Sequence, residues 1–417
     1  MTNSIHSPGL THAANAQAQA AVLACQPRWT SVAPAREALG LTGRVLLHAG
    51  PPLADPTRPP PPMLNAAVLA CLHEGWATDD AAAEKLVATG AVRLEPGLGY
   101  RVSTPLVSLV GPRTTLAVIE SGPPASPVRW YGFLGTGGGA QMRFGGRDRA
   151  ILERMAFRER ELLPGFADLL QGGPIDLLSV ARSALTEGDD LHNRLSSATL
   201  VLYAVLASRK IDANAAKAAL GVILDAPLYF LNVWMPACAL MLDAAAGMAG
   251  SSMVMRLAAN GEVCGIQLAG LPDRWFTAPA APVRGPFMKG APANPQFPPA
   301  TGDSGIIDAF GLGGQVLRRA PSLQAAFAPW LAVDDDARAE GMLMGLHPVL
   351  GIEVGVDAAL IASSGRTPLL STGMVSADGR GLLGRGLCEM PLAPFASALA
   401  ALADQAWRFG GPTPSRT

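Results

Sequence analysis

The sequence predicts an α+β, mixed α/β chain in which two α/β regions flank a mainly helical domain, and three observations carry that prediction. Short apolar runs bounded by turn residues, at 43–52 on one side and at 263–269, 351–356 and 368–370 on the other, read as buried strands. Between them, from 149 to about 250, apolar residues recur at helical spacing almost throughout. The breaks in that stretch are helix terminators: Gly172-Gly173-Pro174, Glu187-Gly188 and Asp225-Ala226-Pro227.

Taken in order, residues 1–30 are rich in Ala and Gln and read as a flexible tail, without the basic start and apolar stretch of a secretory signal. In the N-terminal α/β region, 31–148, the strand at 43–52 runs into a turn and then a proline-rich loop ending at Pro62. Helical spacing follows at 66–76 and 79–88, and strand-like runs occupy 103–110, 114–120 and 128–134. The helical domain, 149–250, contains a helix expected to open near Leu191, with Asp189 or Asp190 placed to cap it. The C-terminal α/β region, 251–417, is rich in Gly and Pro between its apolar runs and ends in a helix over 394–407. No internal repeat is visible.

Composition narrows the function classes. The chain has 417 residues, 49% of them hydrophobic and only 16% charged, with a mean hydropathy of +0.26. The longest apolar stretch, 226–242, is interrupted by Pro227, Asn232 and Pro236 and falls short of the ~20 apolar residues that span a bilayer. The excess therefore predicts a large core and a subunit interface, without membrane insertion. A net charge of −1 and the absence of any basic run exclude a nucleic-acid backbone as partner. Cys25, Cys71, Cys238, Cys264 and Cys388 stand far apart with no CxxC, which fits reduced thiols in a cytoplasmic protein. Neither metal nor cofactor is expected.

The densest polar cluster is Gly188-Asp189-Asp190-Leu191-His192-Asn193-Arg194. It sets two carboxylates, an imidazole, an amide and a guanidinium among apolar neighbours. Capping explains the aspartates but not His192, Asn193 and Arg194 together, so binding or proton transfer is expected here. Gly135-Thr136-Gly137-Gly138-Gly139-Ala140 fits GxGxxG/A, but the second strand and terminal acid of a dinucleotide fold do not follow. That loop either offers backbone N–H groups to an anion near Arg143 and Arg147 or is a plain turn. His48 and His73 lack metal-ligand spacing to a partner, and Gly302-Asp303-Ser304-Gly305 reads as a turn, since no GxSxG elbow exists. Asn260-Gly261 is a tight-turn signal. Arg274, beside Trp275 and Phe276, is either an anion clamp or stacked on Trp275.

Together these segments resemble the YlbE-like family, which includes oxamate carbamoyltransferase subunits. The likeness runs from about Leu46 to Leu399 and rests on LLHAGPP at 46–52, EGDDLHNR at 187–194, YFLN at 229–232 and RLAANGEVCGIQLAGLPDRWFTAPA at 256–280. GDSGIIDAFGLGG at 302–314, GVD at 355–357 and PLLSTG at 368–373 complete it. The resemblance implies α/β domains flanking a helical domain and an activity interconverting oxalurate plus phosphate with oxamate plus carbamoyl phosphate, alongside a subunit resembling the FdrA protein. The sequence departs from the family pattern at Glu95-Pro96-Gly97-Leu98-Gly99-Tyr100, which lacks the usual histidines, at Asp190 and at Met374-Val375-Ser376. It also reads as N-terminally shortened against longer members.

Such chemistry must hold small anions, polarise a carbonyl and move a proton. Asp189, Asp190 and His192 are the expected proton-transfer residues. Arg194, Arg256 and Arg274 are expected on anions, and Asn193, Asn232 and Asn260 on carbonyl oxygens. Asp303, Asp357 and His48 complete the expected binding set. The expected partners are a small anionic substrate and either further copies of the chain or an FdrA-like subunit. A non-catalytic binding or assembly subunit is the rival reading, and a stand-alone amidase or lyase ranks last for want of a visible nucleophile.

Overall fold

Leu231–Asp243 is a helix with no polar face, and every residue from Leu231 to Leu242 is buried. A helix apolar all round must be enclosed on all sides, and in the computed structural model, which describes residues 8–332 and 338–410, two sheets and the helices Pro8–Ala24, Leu177–Thr186 and Gly305–Phe310 pack around it. Pro236 sits inside this helix and cannot donate to the Asn232 carbonyl. That carbonyl lies against Gly132 of strand Val128–Phe133, where any Cβ would collide with it.

The first sheet has five strands in the spatial order Val102–Ser103, Val128–Phe133, Thr115–Ser121, Arg28–Pro34, Ile175–Asp176. All its pairings are antiparallel except that of Val102–Ser103 with Val128–Phe133. The second sheet is wholly antiparallel, in the order Leu271–Pro279, Val263–Leu268, Val254–Asn260, Thr301–Gly302. A hairpin of Leu369–Val375 with Leu382–Glu389 and a parallel pair of Val45–His48 with Arg93–Pro96 stand outside these sheets. One apolar cluster runs from Ala18 to Leu402, and a smaller one surrounds the helix Pro61–His73. The architecture is α+β.

Three expectations are corrected. Residues 8–24 are not a flexible tail but the helix Pro8–Ala24, an outcome consistent with the high helix propensity of Ala and Gln. Ala18 and Val22 are buried in the main core, and Asn15 donates to Ser252 Oγ (2.9 Å) and Asp357 Oδ2 (3.0 Å). The strand expected over 103–110 ends at Ser103, because Pro105 follows and Leu106 has a φ of 51°. The helix expected near Leu191 begins at Ser196, because Leu191 itself is left-handed, with a φ of 60°. Within the segment read as helical, Ile175–Asp176 adds an edge strand to the first sheet. All five cysteines are buried and unpaired. Among the described residues, no helix is long and apolar enough to cross a membrane.

The approach of Gly132 to the central helix is testable. Gly132→Ala forces strand and helix apart and is expected to cost about 3 kcal/mol, read as a lowered denaturation midpoint in urea. Unchanged stability would mean that the helix does not sit on this strand.

Candidate functional site

The site is organised by a carboxylate. Asp308, on the short helix Gly305–Phe310, is fully buried. Its Oδ1 accepts from Gly314 N at 3.0 Å and from Ser371 Oγ at 3.1 Å, and its Oδ2 accepts from Ser371 N at 3.0 Å. His192 Nδ1 lies 3.0 Å from the same Oδ2, at an ion-pair distance without hydrogen-bond alignment. Gly313, with a φ of 57°, packs onto this pair, and a Cβ there would stand 2.9 Å from the imidazole Nδ1. Burial by itself lowers the affinity of His192 for a proton, but the charge of Asp308, with that of Asp190, outweighs it and leaves the pKa raised.

Asp190 folds the loop that carries His192. Its Oδ1 accepts from His192 N (3.0 Å) and Arg194 N (2.7 Å), an Asx-type turn, and its Oδ2 accepts from Asn193 Nδ2 at 3.1 Å. The Asn193 amide also donates to Ser371 Oγ (2.9 Å), and its backbone carbonyl accepts from Arg385 Nη1 (2.7 Å). Within this turn Leu191 is fully buried in a left-handed conformation, which costs about 1–3 kcal/mol and persists only where surrounding structure enforces it.

Against this loop lies a cavity of about 80 Å³, whose polar lining is Arg143, His192, Asn193, Ser304, Thr372 and Arg385 over a floor of leucines. Arg143 is 9% exposed, and among the described residues no carboxylate pairs with its guanidinium; its contact is the Phe144 ring, 4.7 Å away. Burial lowers its pKa to about 10, so it remains cationic at neutral pH. A buried, unpaired cation is expensive, and here it faces a cavity.

Asp303, one residue before Ser304, ties distant loops together. Its Oδ1 accepts from Gly50 N at 2.7 Å, and its Oδ2 accepts from Thr104 N and Oγ1 at 2.9 and 3.0 Å. Burial outweighs these donors and pushes its pKa up to about 7.

The other expected residues are placed elsewhere. Asp189 accepts from Ala198 N at 2.9 Å, capping the helix Ser196–Ala207, and pairs with Arg194 Nη1 at 3.2 Å. Arg194 is thus committed to Asp189 and to the Glu187 carbonyl and does not reach the cavity. The Asn232 amide donates to Tyr229 O at 2.8 Å, also outside it. Asn260 closes its own turn, donating to Pro51 O at 3.0 Å and accepting from Glu262 N and Val263 N at 2.9 Å. Asp357 caps the helix Ala358–Ser364 and binds Ser252 Oγ at 2.6 Å. His48 is buried with its pKa lowered to about 4, Nδ1 lying 2.8 Å from Ala49 O. Arg256 pairs with Asp243 at 2.7 Å, and Arg274 is exposed over Phe276, not Trp275.

The glycine-rich loop is no anion cradle: Gly138 N donates to Asp225 Oδ2 at 3.2 Å, and the Thr136 and Gly138 carbonyls accept from Arg154. Arg147 is bound to Asn65 and Glu84. Among the described residues, no cluster of His, Cys, Asp and Glu is arranged to hold a metal ion. Sequence reasoning singled out His192 and Asn193 but not Asp308, Ser371, Thr372 and Arg385, and named Arg143 only as a neighbour of the glycine loop. The available signal was GDSGIIDAFGLGG, which places Asp308 four residues after Ser304 and five before Gly313.

Asp303 and His192 give stability a definite pH dependence. Both hold protons more tightly folded than unfolded, so their contribution is complete below the unfolded pKa and is lost as pH rises through the folded one. For Asp303 the loss is about 1.4 kcal/mol between pH 6 and 8. Urea unfolding at the two pH values is expected to show it, reduced in Asp303→Asn; a wild-type protein more stable at pH 8 than at pH 6 would contradict it.

Residues 92–304 match the family described as oxamate carbamoyltransferase subunit AllG. The chain is 31% identical to oxamate carbamoyltransferase subunit AllG of Escherichia coli (strain K12), across 93% of this chain and 98% of the relative. It is 27% identical to the uncharacterized protein YahG of the same strain, across 86% and 79%. The crystal structure of a conserved protein of unknown function from Enterococcus faecalis V583 superposes with a TM-score of 0.87 at 24% identity, covering 94% of this chain and 98% of that one, and so shares the fold. With a family match from 92 to 304 and a relative aligned over nearly its whole length, the chain belongs to the AllG family of oxamate carbamoyltransferase subunits.

Proposed function

We propose that the cavity beside the His192–Asp308 pair binds the small anionic substrate of a carbamoyl transfer, of the carbamoyl phosphate or oxamate type, in a cytoplasmic complex with an FdrA-like subunit. The observation that carries this reading is Arg143, a buried guanidinium with no carboxylate partner among the described residues. A phosphate or carboxylate entering the cavity would supply the missing charge, and a guanidinium forks onto either. Arg385 and the hydroxyls of Ser304 and Thr372 line the same space and add donors.

In the transfer, the amide nitrogen of the acceptor attacks the carbamoyl carbon. A C–N bond forms as the C–O bond to phosphate breaks, and phosphate leaves with the electron pair. The proton released from nitrogen passes to neutral His192, whose raised proton affinity suits a base and whose imidazolium Asp308 then stabilises. Asp190 and Ser371 hold the loop and the carboxylate in register.

Cavity size favours a second reading. About 80 Å³, at roughly 10–15 Å³ per water-sized probe, accommodates one small anion but not two substrates side by side. A subunit that binds one substrate and presents it to a partner fits that volume.

Isothermal titration with carbamoyl phosphate, oxamate and oxalurate tests the site. Arg143→Ala is expected to weaken the bound anion at least about tenfold, or ~1.4 kcal/mol; unaltered affinity for all three would remove Arg143 from the site. In the complex, His192→Asn is expected to slow phosphate-dependent oxalurate turnover by about 10²–10⁴ with binding retained. The acid limb of the wild-type rate profile is expected above the ordinary imidazole value of ~6.5. Full turnover by His192→Asn would leave the binding-subunit reading.

A further inference from the structure

A second, larger groove lies apart from this cavity and shares no residue with it: about 790 Å³, between the edge of the second sheet and the segment 95–101. Its floor is built by strand register. Arg256 and Gln267 are directly paired neighbours on Val254–Asn260 and Val263–Leu268, so their side chains stand together on one face of the sheet. Arg256 lies 4.5 Å above the Trp130 ring and pairs with Asp243, which also accepts from Trp130 Nε1 at 3.2 Å. Arg256 is thereby fixed in place.

Gln267 is different. It is 9% exposed, it lines the groove, and among the described residues its side-chain amide neither donates nor accepts a hydrogen bond. Its amide is open to the groove rather than sealed in the core, and it offers a donor and an acceptor side by side. The wall opposite comes from a strand irregularity. Between Leu271 and Phe276, Leu271–Pro279 uses more chain than the facing Ile266-to-Leu268 stretch, so Pro272, Asp273 and Trp275 bow out over the groove. This is the LPDRW motif, which the carbamoyl-transfer cavity does not use.

We infer that this groove is a binding site for a neutral, planar ligand with an amide or lactam edge, such as a nucleobase or cyclic ureide, read by the Gln267 amide and covered by the Trp275 ring. Charge selects the class. Arg101 and Arg256 face Glu95, Asp243 and Asp273, so the lining carries no excess positive charge to hold a phosphate. An amide edge pairs with Gln267 in two hydrogen bonds, and a flat ring stacks on indole.

The test is titration of the full chain with uracil, adenine and hydantoin, followed by tryptophan fluorescence and calorimetry, with adenosine 5′-monophosphate as the charged counterpart. Saturable binding of at least one neutral compound is expected, weakened at least tenfold by Gln267→Ala or by Trp275→Ala. Arg143→Ala is expected to leave that binding unchanged, which separates this site from the first cavity. Should Gln267→Ala fail to fold, Trp275→Ala, at a partly buried position of the bulged strand, decides the question. Absence of saturable binding by all three neutral compounds, binding indifferent to the folded variants, or tighter binding of the monophosphate than of adenine would overturn the inference.

Discussion

The buried carboxylate of Asp308 is the constraint on which the candidate site depends. It gathers three stretches distant in sequence: the loop bearing His192, the turn at Gly313 and Gly314, and the start of the hairpin at Ser371. A charge in that position is tolerable only because its lone pairs are engaged; a bare carboxylate in an apolar interior is unstable by several kcal/mol. The requirement runs both ways. The donors and the imidazole pull against a burial that still leaves the Asp308 carboxyl with a raised pKa, and its charge in turn keeps the imidazole protonatable where burial alone would leave it neutral.

The remaining architecture holds that convergence still. The helix Leu231–Asp243, buried from Leu231 to Leu242, lies between the two sheets and touches the helix that carries Asp308. Leu228 and Leu231, at its entrance, form part of the cavity floor. Asp303 then binds the loop after Val45–His48 and the chain at Thr104 to the segment preceding Asp308. Of the polar groups lining the cavity, His192, Asn193 and Ser304 come from loops, whereas Thr372 and Arg385 stand on the two strands of the hairpin and Arg143 on the single helical turn Met142–Phe144.

Much of this was legible in the sequence, and what was not has a physical reason. The flanking strands and central helical stretch follow from apolar periodicity, and the GDDLHNR cluster points to the candidate site because polar groups so dense in an apolar chain require an explanation. The roles within it were not legible. Asp189 and Arg194 neutralise each other and cap a helix, whereas Asp190 shapes the turn; nothing local distinguishes two adjacent aspartates. The partner of His192 lies 116 positions away, just beyond the Gly302-to-Gly305 stretch that reads as a turn, and pairing over that distance leaves no periodic trace. Arg143 is conspicuous only because no carboxylate among the described residues pairs with it, which a one-dimensional reading cannot see. The N-terminal helix was missed for a related reason: its Ala-rich face acquires meaning only against the core that covers it.

The central helix also bears on how the chain is made. Synthesis completes the first sheet once Ile175–Asp176 has emerged, but the helix that covers it spans Leu231–Asp243, and the last strand of the second sheet is Thr301–Gly302. The nascent chain therefore carries an uncovered apolar sheet, and then an uncovered apolar helix, while more than a hundred residues are still to be added. At about 5–20 residues per second this exposure lasts several seconds. The fold is thus one whose ribosome-bound intermediate presents apolar surface that the finished chain buries, and its yield in a cell rests on what shields that intermediate during translation.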